Sequence, residues 1–165
     1  MKQDQQKESV ENLHLADSCG QANVICCKKG YIFLPPSEHN AIAEYLKDTT
    51  EALREFESRI TDHGDFFLYD QKSNCQFLRE DNLCQLHPIG IKPTECFWWP
   101  GHVYIGLDGL EIRVATCCGG CHHLKNNSPH IAKIAQQAEE IGHELLIKFR
   151  QIHNYGDDYK VVKKI

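Results

Sequence analysis

Short runs of hydrophobic residues alternate with stretches of helical spacing in the first part of this chain. The run Tyr31–Leu34, which Pro35-Pro36 ends, predicts a strand, because proline cannot continue a ladder of hydrogen bonds. After it, apolar residues three and four apart predict a helix over residues 37–46, with Ser37 as its N-cap. A second helical stretch is predicted over residues 51–60.

Residues 65–100 contain short apolar runs separated by polar residues, which predicts strands and tight turns. A polar turn at residues 79–82 would join two of these strands and bring their cysteines close together. A further hairpin is predicted over residues 103–116, because its middle contains the turn signal Asp108-Gly109. The strand candidates before that hairpin are residues 66–69, 75–78 and 83–86.

The longest amphipathic pattern lies in the C-terminal part of the chain. Ser128 is a predicted N-cap, and Pro129 suits the first position of a helix. Apolar residues then recur at helical spacing as far as Ile152, which predicts one long amphipathic helix packed on the rest. Its apolar face would consist of Ile131, Ile134, Ala135, Ala138, Ile141, Leu145, Leu146, Phe149 and Ile152.

These elements together predict a small α+β protein. The chain has 165 residues and no internal repeat, so one domain with a sizeable core is expected. Residues 1–16 are polar throughout and are predicted to form a flexible tail. Residues 17–165 would then form the single domain.

The distribution of charge argues against nucleic acid as a partner, and the distribution of apolar residues argues against a membrane. The net charge is −5, and Lys and Arg are scattered along the chain, so no basic stripe attracts a polyanion. No segment has the ~20 consecutive apolar residues that cross a bilayer. The N-terminus also lacks the apolar stretch of a secretory signal, so we expect a cytoplasmic protein. No particular protein partner is predicted.

Nine cysteines carry the chemistry of this sequence. In a reducing compartment they are poor candidates for structural disulfides, which favours metal binding or redox chemistry. Cys75 and Cys84 flank the predicted hairpin, and Cys96 follows a predicted turn. The pair Cys26-Cys27 precedes the first strand, where adjacent side chains point to opposite sides. One of the pair would therefore enter a given site, with Cys27 preferred and Cys26 as its substitute.

A second group of cysteines, Cys117, Cys118 and Cys121, follows the later hairpin. These residues are predicted to contribute to the same metal site or to a second one, and His122 and His123 could join them. The group also matches the C-x-x-C-H signature of haem attachment, which is disfavoured because that modification usually follows export. Zinc would use four of the thiols, whereas two four-thiolate iron–sulfur centres would use eight of nine. Zinc and an iron–sulfur cluster both stay open, with the count leaning towards the cluster.

Four short segments present their cysteines in a specific order: Cys26-Cys27 followed by Ile32 and Leu34, Cys75-Gln76-Phe77-Leu78, Leu83-Cys84-Gln85-Leu86, and Lys92-Pro93-Thr94-Glu95-Cys96 with Pro100 close behind. This order resembles the YkgJ-like family with a CxxCxxCC motif, whose members are described as zinc- or iron-chelating. The resemblance covers roughly residues 19–100 and implies metal chelation without naming a reaction. Two positions depart from the family pattern. Only Cys19 precedes the double cysteine, so it is left out of the predicted ligands, and Phe97 replaces the usual Arg.

The sequence therefore predicts a protein that chelates zinc or an iron–sulfur cluster through clustered cysteines. Short hairpins would surround this metal site, and the long C-terminal helix would pack beside it. The alternative is an iron–sulfur redox or modification enzyme component of unknown substrate, since flagellin lysine methylases have a similar cysteine arrangement. No catalytic triad order, paired carboxylates or phosphate-binding loop indicates a reaction.

Overall fold

Two three-stranded antiparallel sheets and five helices form the part of the chain that the structure describes, residues 30–115, 128–154 and 159–165 of a computed structural model. In chain order the elements are β1 (Tyr31–Leu34), α1 (Pro36–Leu46), α2 (Thr50–Glu57), β2 (Ile60–Asp62), β3 (Phe67–Asp70), α3 (Thr94–Trp98), β4 (Gly101–Ile105), β5 (Leu110–Ala115), α4 (Pro129–Ile141), α5 (His143–Ile152) and β6 (Tyr159–Lys164). This confirms the expected mixture of helices and antiparallel strands. Across these described ranges, no helix has the length and apolar character that a bilayer crossing requires.

The first sheet has the strand order β1-β3-β2, and its strands β1 and β3 are buried on both faces, whereas β2 is mostly exposed. Because side chains alternate along a strand, Phe33 packs into one apolar cluster while Ile32 and Leu34 pack into another. We call the second one the cysteine-side cluster: Ile32, Leu34, Ile42, Leu46, Phe56, Tyr69, Phe77 and Leu86. Helices α1 and α2 cover this face through Ile42, Leu46 and Phe56.

The second sheet has the strand order β4-β5-β6 and packs under helices α4 and α5. Its hairpin between β4 and β5 confirms the prediction for this segment, and Gly109 has a φ of 135° at the turn. Buried side chains of the second sheet, the helices and the first sheet together form the inter-sheet cluster. Its members are Phe33, Phe66, Leu68, Trp98, Val103, Leu110, Ile112, Val114, Ile131, Ile134, Ala135, Ala138, Leu146 and Phe149.

The prediction of one long C-terminal helix is wrong, because the chain forms two helices that meet at Gly142. Gly142 has a φ of 100°, which an α-helix cannot contain, although the apolar spacing continues across it. Ser128 does cap α4 as predicted, since its hydroxyl accepts the N–H of Ile131 at 3.2 Å.

Other boundaries were also misplaced. Helix α1 begins at Pro36, so Ser37 lies inside it and is not its N-cap. The second helix ends at Glu57, and Ile60 already belongs to β2. Strand β6 was not predicted, because its lysine-rich residues show little apolar pattern; it pairs with β5 at the edge of the sheet.

Gly142→Ala should destabilise the protein by about 1 kcal/mol or more, because alanine strongly disfavours a positive φ. A Cβ at this position would meet no atom within 4 Å, so the backbone alone causes the loss. The measurement is urea unfolding followed by circular dichroism. Glu139→Ala, at an exposed position of α4, is the control and should change stability by no more than about 0.5 kcal/mol. Unchanged stability of Gly142→Ala with increased helix content would show that the glycine does not impose the break.

Candidate metal centre

Three of the predicted ligands, Cys75, Cys84 and Cys96, lie within the described residues. Each is partly buried and packs against the cysteine-side cluster, although the three come from separate segments of the chain. No disulfide joins these three cysteines to one another. The remaining predicted ligands lie outside the described residues: Cys26, Cys27, Cys117, Cys118 and Cys121. Cys19, His122 and His123 also lie outside them.

The first sheet positions Cys75. The N–H of Gln71 donates to the carbonyl of Gly30 at 3.0 Å, which extends the pairing of β1 and β3 by one residue. A turn follows, in which the N–H of Asn74 donates to Gln71 at 3.1 Å. The hydroxyl oxygen of Tyr69 accepts the N–H of Gln76 at 3.1 Å and lies 3.9 Å from the sulfur of Cys75. Cys75 is therefore held between a sheet end and a buried tyrosine.

Cys84 is positioned by a much smaller hairpin than the sequence predicts. Residues 75–78 and 83–86 do not form strands, and a single antiparallel bridge joins Leu78 to Cys84. Two backbone hydrogen bonds surround the bridge, Gln85 N–H to Phe77 at 2.8 Å and Arg79 N–H to Leu83 at 2.9 Å. The segments of Cys75 and Cys84 are therefore adjacent, as expected, but through local turns instead of a regular ladder.

Cys96 lies on α3, a five-residue helix in a region that was predicted to contain only short strands and tight turns. The carboxylate of Glu38, on α1, accepts both the backbone N–H of Thr94 at 3.1 Å and its hydroxyl at 2.5 Å. Burial, opposed by these hydrogen bonds, raises the pKa of Glu38 above its ordinary value. At the other end of α3, the indole N–H of Trp98 donates to Gln137 on α4 at 3.0 Å. Both ends of this short helix are thus attached to longer helices.

The residue before Cys96, Glu95, belongs to a buried ion pair with Arg150 of α5. One carboxylate oxygen accepts Arg150 Nη2 at 2.7 Å, and the other accepts the backbone N–H of Phe33 at 2.7 Å. Arg150 Nε in turn donates to the carbonyl of Val103 at 2.5 Å. Because β1 is one edge strand of the first sheet and β4 one edge strand of the second, this pair joins an edge of one sheet to an edge of the other.

The charge of Glu95 is compensated from several sides. Burial by itself would raise the pKa of this carboxyl, but Arg150, His102 and the N–H of Phe33 together hold its pKa below the ordinary value. His102 Nδ1 lies 3.4 Å from Glu95 Oε1, and the Arg150 guanidinium carbon lies 4.5 Å from the centre of the Tyr104 ring. These contacts therefore favour the carboxylate form of Glu95 despite its burial. Sequence reasoning missed Glu95 and Arg150, since a single Glu or Arg beside apolar residues carries no spacing signal.

Within residues 30–115, 128–154 and 159–165, no three His, Cys, Asp or Glu side chains form a group that could hold a metal ion. Cys75, Cys84 and Cys96 therefore do not make a ligand set by themselves. A metal centre built on them needs ligands from the rest of the chain.

Comparisons with protein-family models, with curated proteins and with solved structures found no match. The resemblance to the YkgJ-like family thus stands on the order of the cysteines alone, and the chelating role that it implies stays a prediction.

Arg150→Met should lower the free energy of unfolding by about 3–5 kcal/mol, because it leaves the Glu95 carboxylate buried without its cation. The double variant Glu95→Met/Arg150→Met should lose less, since it removes both charges and keeps similar side-chain volume. Urea unfolding of the wild type, both single variants and the double variant gives the coupling energy. If the double variant loses as much free energy of unfolding as the two single variants together, this account is wrong.

Tyr69→Phe should cost about 1–2 kcal/mol at pH 8, because the N–H of Gln76 loses its acceptor. Burial, together with the negative charge of Cys75, raises the pKa of Tyr69 above its ordinary value of about 10. A raised folded-state pKa stabilises the fold below pH ~10, and this contribution is lost as the pH rises further. The stability gap between wild type and Tyr69→Phe should therefore narrow above pH 10 in urea unfolding. If the stability difference between wild type and Tyr69→Phe is constant from pH 8 to 11, the pKa of Tyr69 is not raised. Tyr45→Phe, at an exposed position, is the control variant.

Proposed function

We propose that this protein binds a metal, as zinc or as an iron–sulfur cluster, through the thiolates of Cys27, Cys75, Cys84 and Cys96. The main support is the common location of the three described cysteines. Three separate segments each place one partly buried cysteine against the same apolar cluster. Thiolates are the preferred protein ligands of zinc and of cluster iron, and converging turns are the usual way to supply them.

Covalent geometry allows Cys27 to complete this set. Gly30 is hydrogen-bonded to Gln71, and Cys27 precedes Gly30 by three residues, a chain length that spans at most about 10 Å. Cys75 follows Gln71 by four residues that include a turn. Both cysteines are thus three or four residues along the chain from the Gly30–Gln71 hydrogen bond at one end of the first sheet. Cys26, the next residue along the chain, is the substitute ligand.

The second group of cysteines follows β5, whose last residue is hydrogen-bonded to the segment that follows Cys96. The N–H of Ala115, the last residue of β5, donates to the carbonyl of Pro100 at 2.9 Å, and Pro100 follows Cys96 by four residues. Cys117 comes two residues after Ala115. We therefore assign Cys117, Cys118 and Cys121 to the same centre or to a second one beside it. A reducing cytoplasm is the proposed location, because these ligands must stay as thiols until the metal binds.

The test is elemental analysis with an absorption spectrum on protein purified without oxygen or chelator. The wild type should contain at least about one equivalent of zinc or iron, since four thiolates bind either one tightly. Iron with matching sulfide and broad visible absorption would identify a cluster, and zinc without colour a zinc site. Well under one equivalent of metal would refute the proposal.

Cys84→Ser and Cys96→Ser should each reduce the metal content at least tenfold and lower the unfolding temperature, because metal-binding energy contributes to folding. Cys19→Ser is the matched control, since it makes the same chemical change at a cysteine outside the proposed ligands. Full metal content in Cys84→Ser would show that the ligand assignment is wrong. Equal metal loss in Cys19→Ser would show that the effect is not specific to the assigned cysteines.

A further inference from the structure

We infer that Glu95 and Arg150 are positioning residues of the metal centre: their ion pair fixes the helix that presents Cys96. This inference rests on the proposed function, since it concerns one of the proposed ligands. Neither residue carries a thiol or is proposed to touch the metal. Their contribution would be the orientation of α3 between the two sheets.

Glu95 and Cys96 are neighbours in the chain but face different surroundings. Cys96 packs against the cysteine-side cluster, whereas Glu95 contacts Phe33, His102 and Arg150 on the side of the inter-sheet cluster. Successive residues of a helix point about 100° apart, so the two side chains diverge from one turn. A shift of the Glu95 backbone would therefore move Cys96 by nearly the same amount.

Helix α3 is too short to be stable by itself. It has five residues, far fewer than an isolated helix needs, so its orientation depends on tertiary contacts. The contacts of Glu38 and Trp98 attach its two ends. Glu95 adds a contact between those ends, directly beside the ligand, and it is the contact that reaches both sheet edges.

The ion pair between Glu95 and Arg150 is better suited to fixing the orientation of α3 than to stabilising the fold. A buried ion pair contributes little net stability, because desolvation of the charges offsets their attraction. It does impose direction, since the Arg150 guanidinium donates in fixed directions to Glu95 and to Val103. Metal–thiolate bonds tolerate distance errors of only about 0.2 Å, so a ligand on a short helix benefits from such an anchor.

The experiment measures how fast metal leaves the protein. Wild type, Glu95→Met/Arg150→Met and Arg150→Lys are purified without oxygen and incubated with EDTA, and their remaining zinc and iron are followed by elemental analysis. Both variants should lose metal about 10–100 times faster than wild type, as when groups that orient metal ligands are removed. Arg150→Lys keeps the charge but not the forked geometry, so it should lose metal despite retaining a cation. Circular dichroism and the unfolding temperature establish that each variant is folded.

Leu110→Ala is the control for general loss of stability. Leu110 is buried, pairs with Ile105 and lies at the end of the hairpin opposite Gly101, the residue that follows closely after α3. This variant should have a lower unfolding temperature and a metal half-time within about twofold of wild type, since Leu110 takes no part in the hydrogen bonds of Glu38, Glu95, Trp98 and Arg150 that attach α3.

Two results would overturn the inference and leave the proposed function standing. One is that Arg150→Lys, and the double variant if it is folded, lose metal as slowly as the wild type. The other is equally fast loss from Leu110→Ala at a matched unfolding temperature. If the wild type itself contains no metal while folded, the proposed function fails and this inference fails with it.

Discussion

The buried ion pair between Glu95 and Arg150 is the interaction on which the arrangement of the two sheets depends. Strands β1 and β4 are buried edge strands of the two sheets. The N–H of Phe33 on β1 and the carbonyl of Val103 on β4 therefore need hydrogen-bond partners from the protein and not from water. The ion pair supplies one acceptor and one donor, and its own charges are satisfied by the same bonds. Removing one partner alone would leave the other charge buried and unpaired, which is costly, whereas the intact pair mainly fixes where the two edges meet and adds little net stability.

Helix α3 contacts both apolar clusters. Trp98 is buried in the inter-sheet cluster, and Cys96, two residues earlier, packs against the cysteine-side cluster. In the proposed metal centre, ligand geometry on one side would therefore depend on packing on the other. Metal binding and the docking of the C-terminal helices would be linked, since each favours the same position of α3. Such linkage is expected wherever a ligand sits on a short element that has no independent stability.

Local patterns were the most reliable guide to this fold. Tyr31–Leu34 and the hairpin of β4 and β5 were predicted correctly, because strand pattern and the Asp108-Gly109 turn act over a few neighbouring residues. The adjacency of the Cys75 and Cys84 segments was also predicted, although only one bridge joins them. Residues whose partners are distant in sequence were missed. Strand β6 exists through its pairing with β5, and α3 exists through its attachments at both ends.

The sequence by itself determined β1, the hairpin of β4 and β5, the apolar faces of the main helices and the order of cysteines that predicts a metal site, because each is a property of near neighbours. The tertiary structure alone decided that the C-terminal pattern breaks at Gly142, since spacing of apolar residues does not report a positive φ. It also decided that Glu95 meets Arg150, a pair 55 residues apart along the chain. A contact of that separation is set by how the two sheets pack, and no short-range pattern in the chain encodes it.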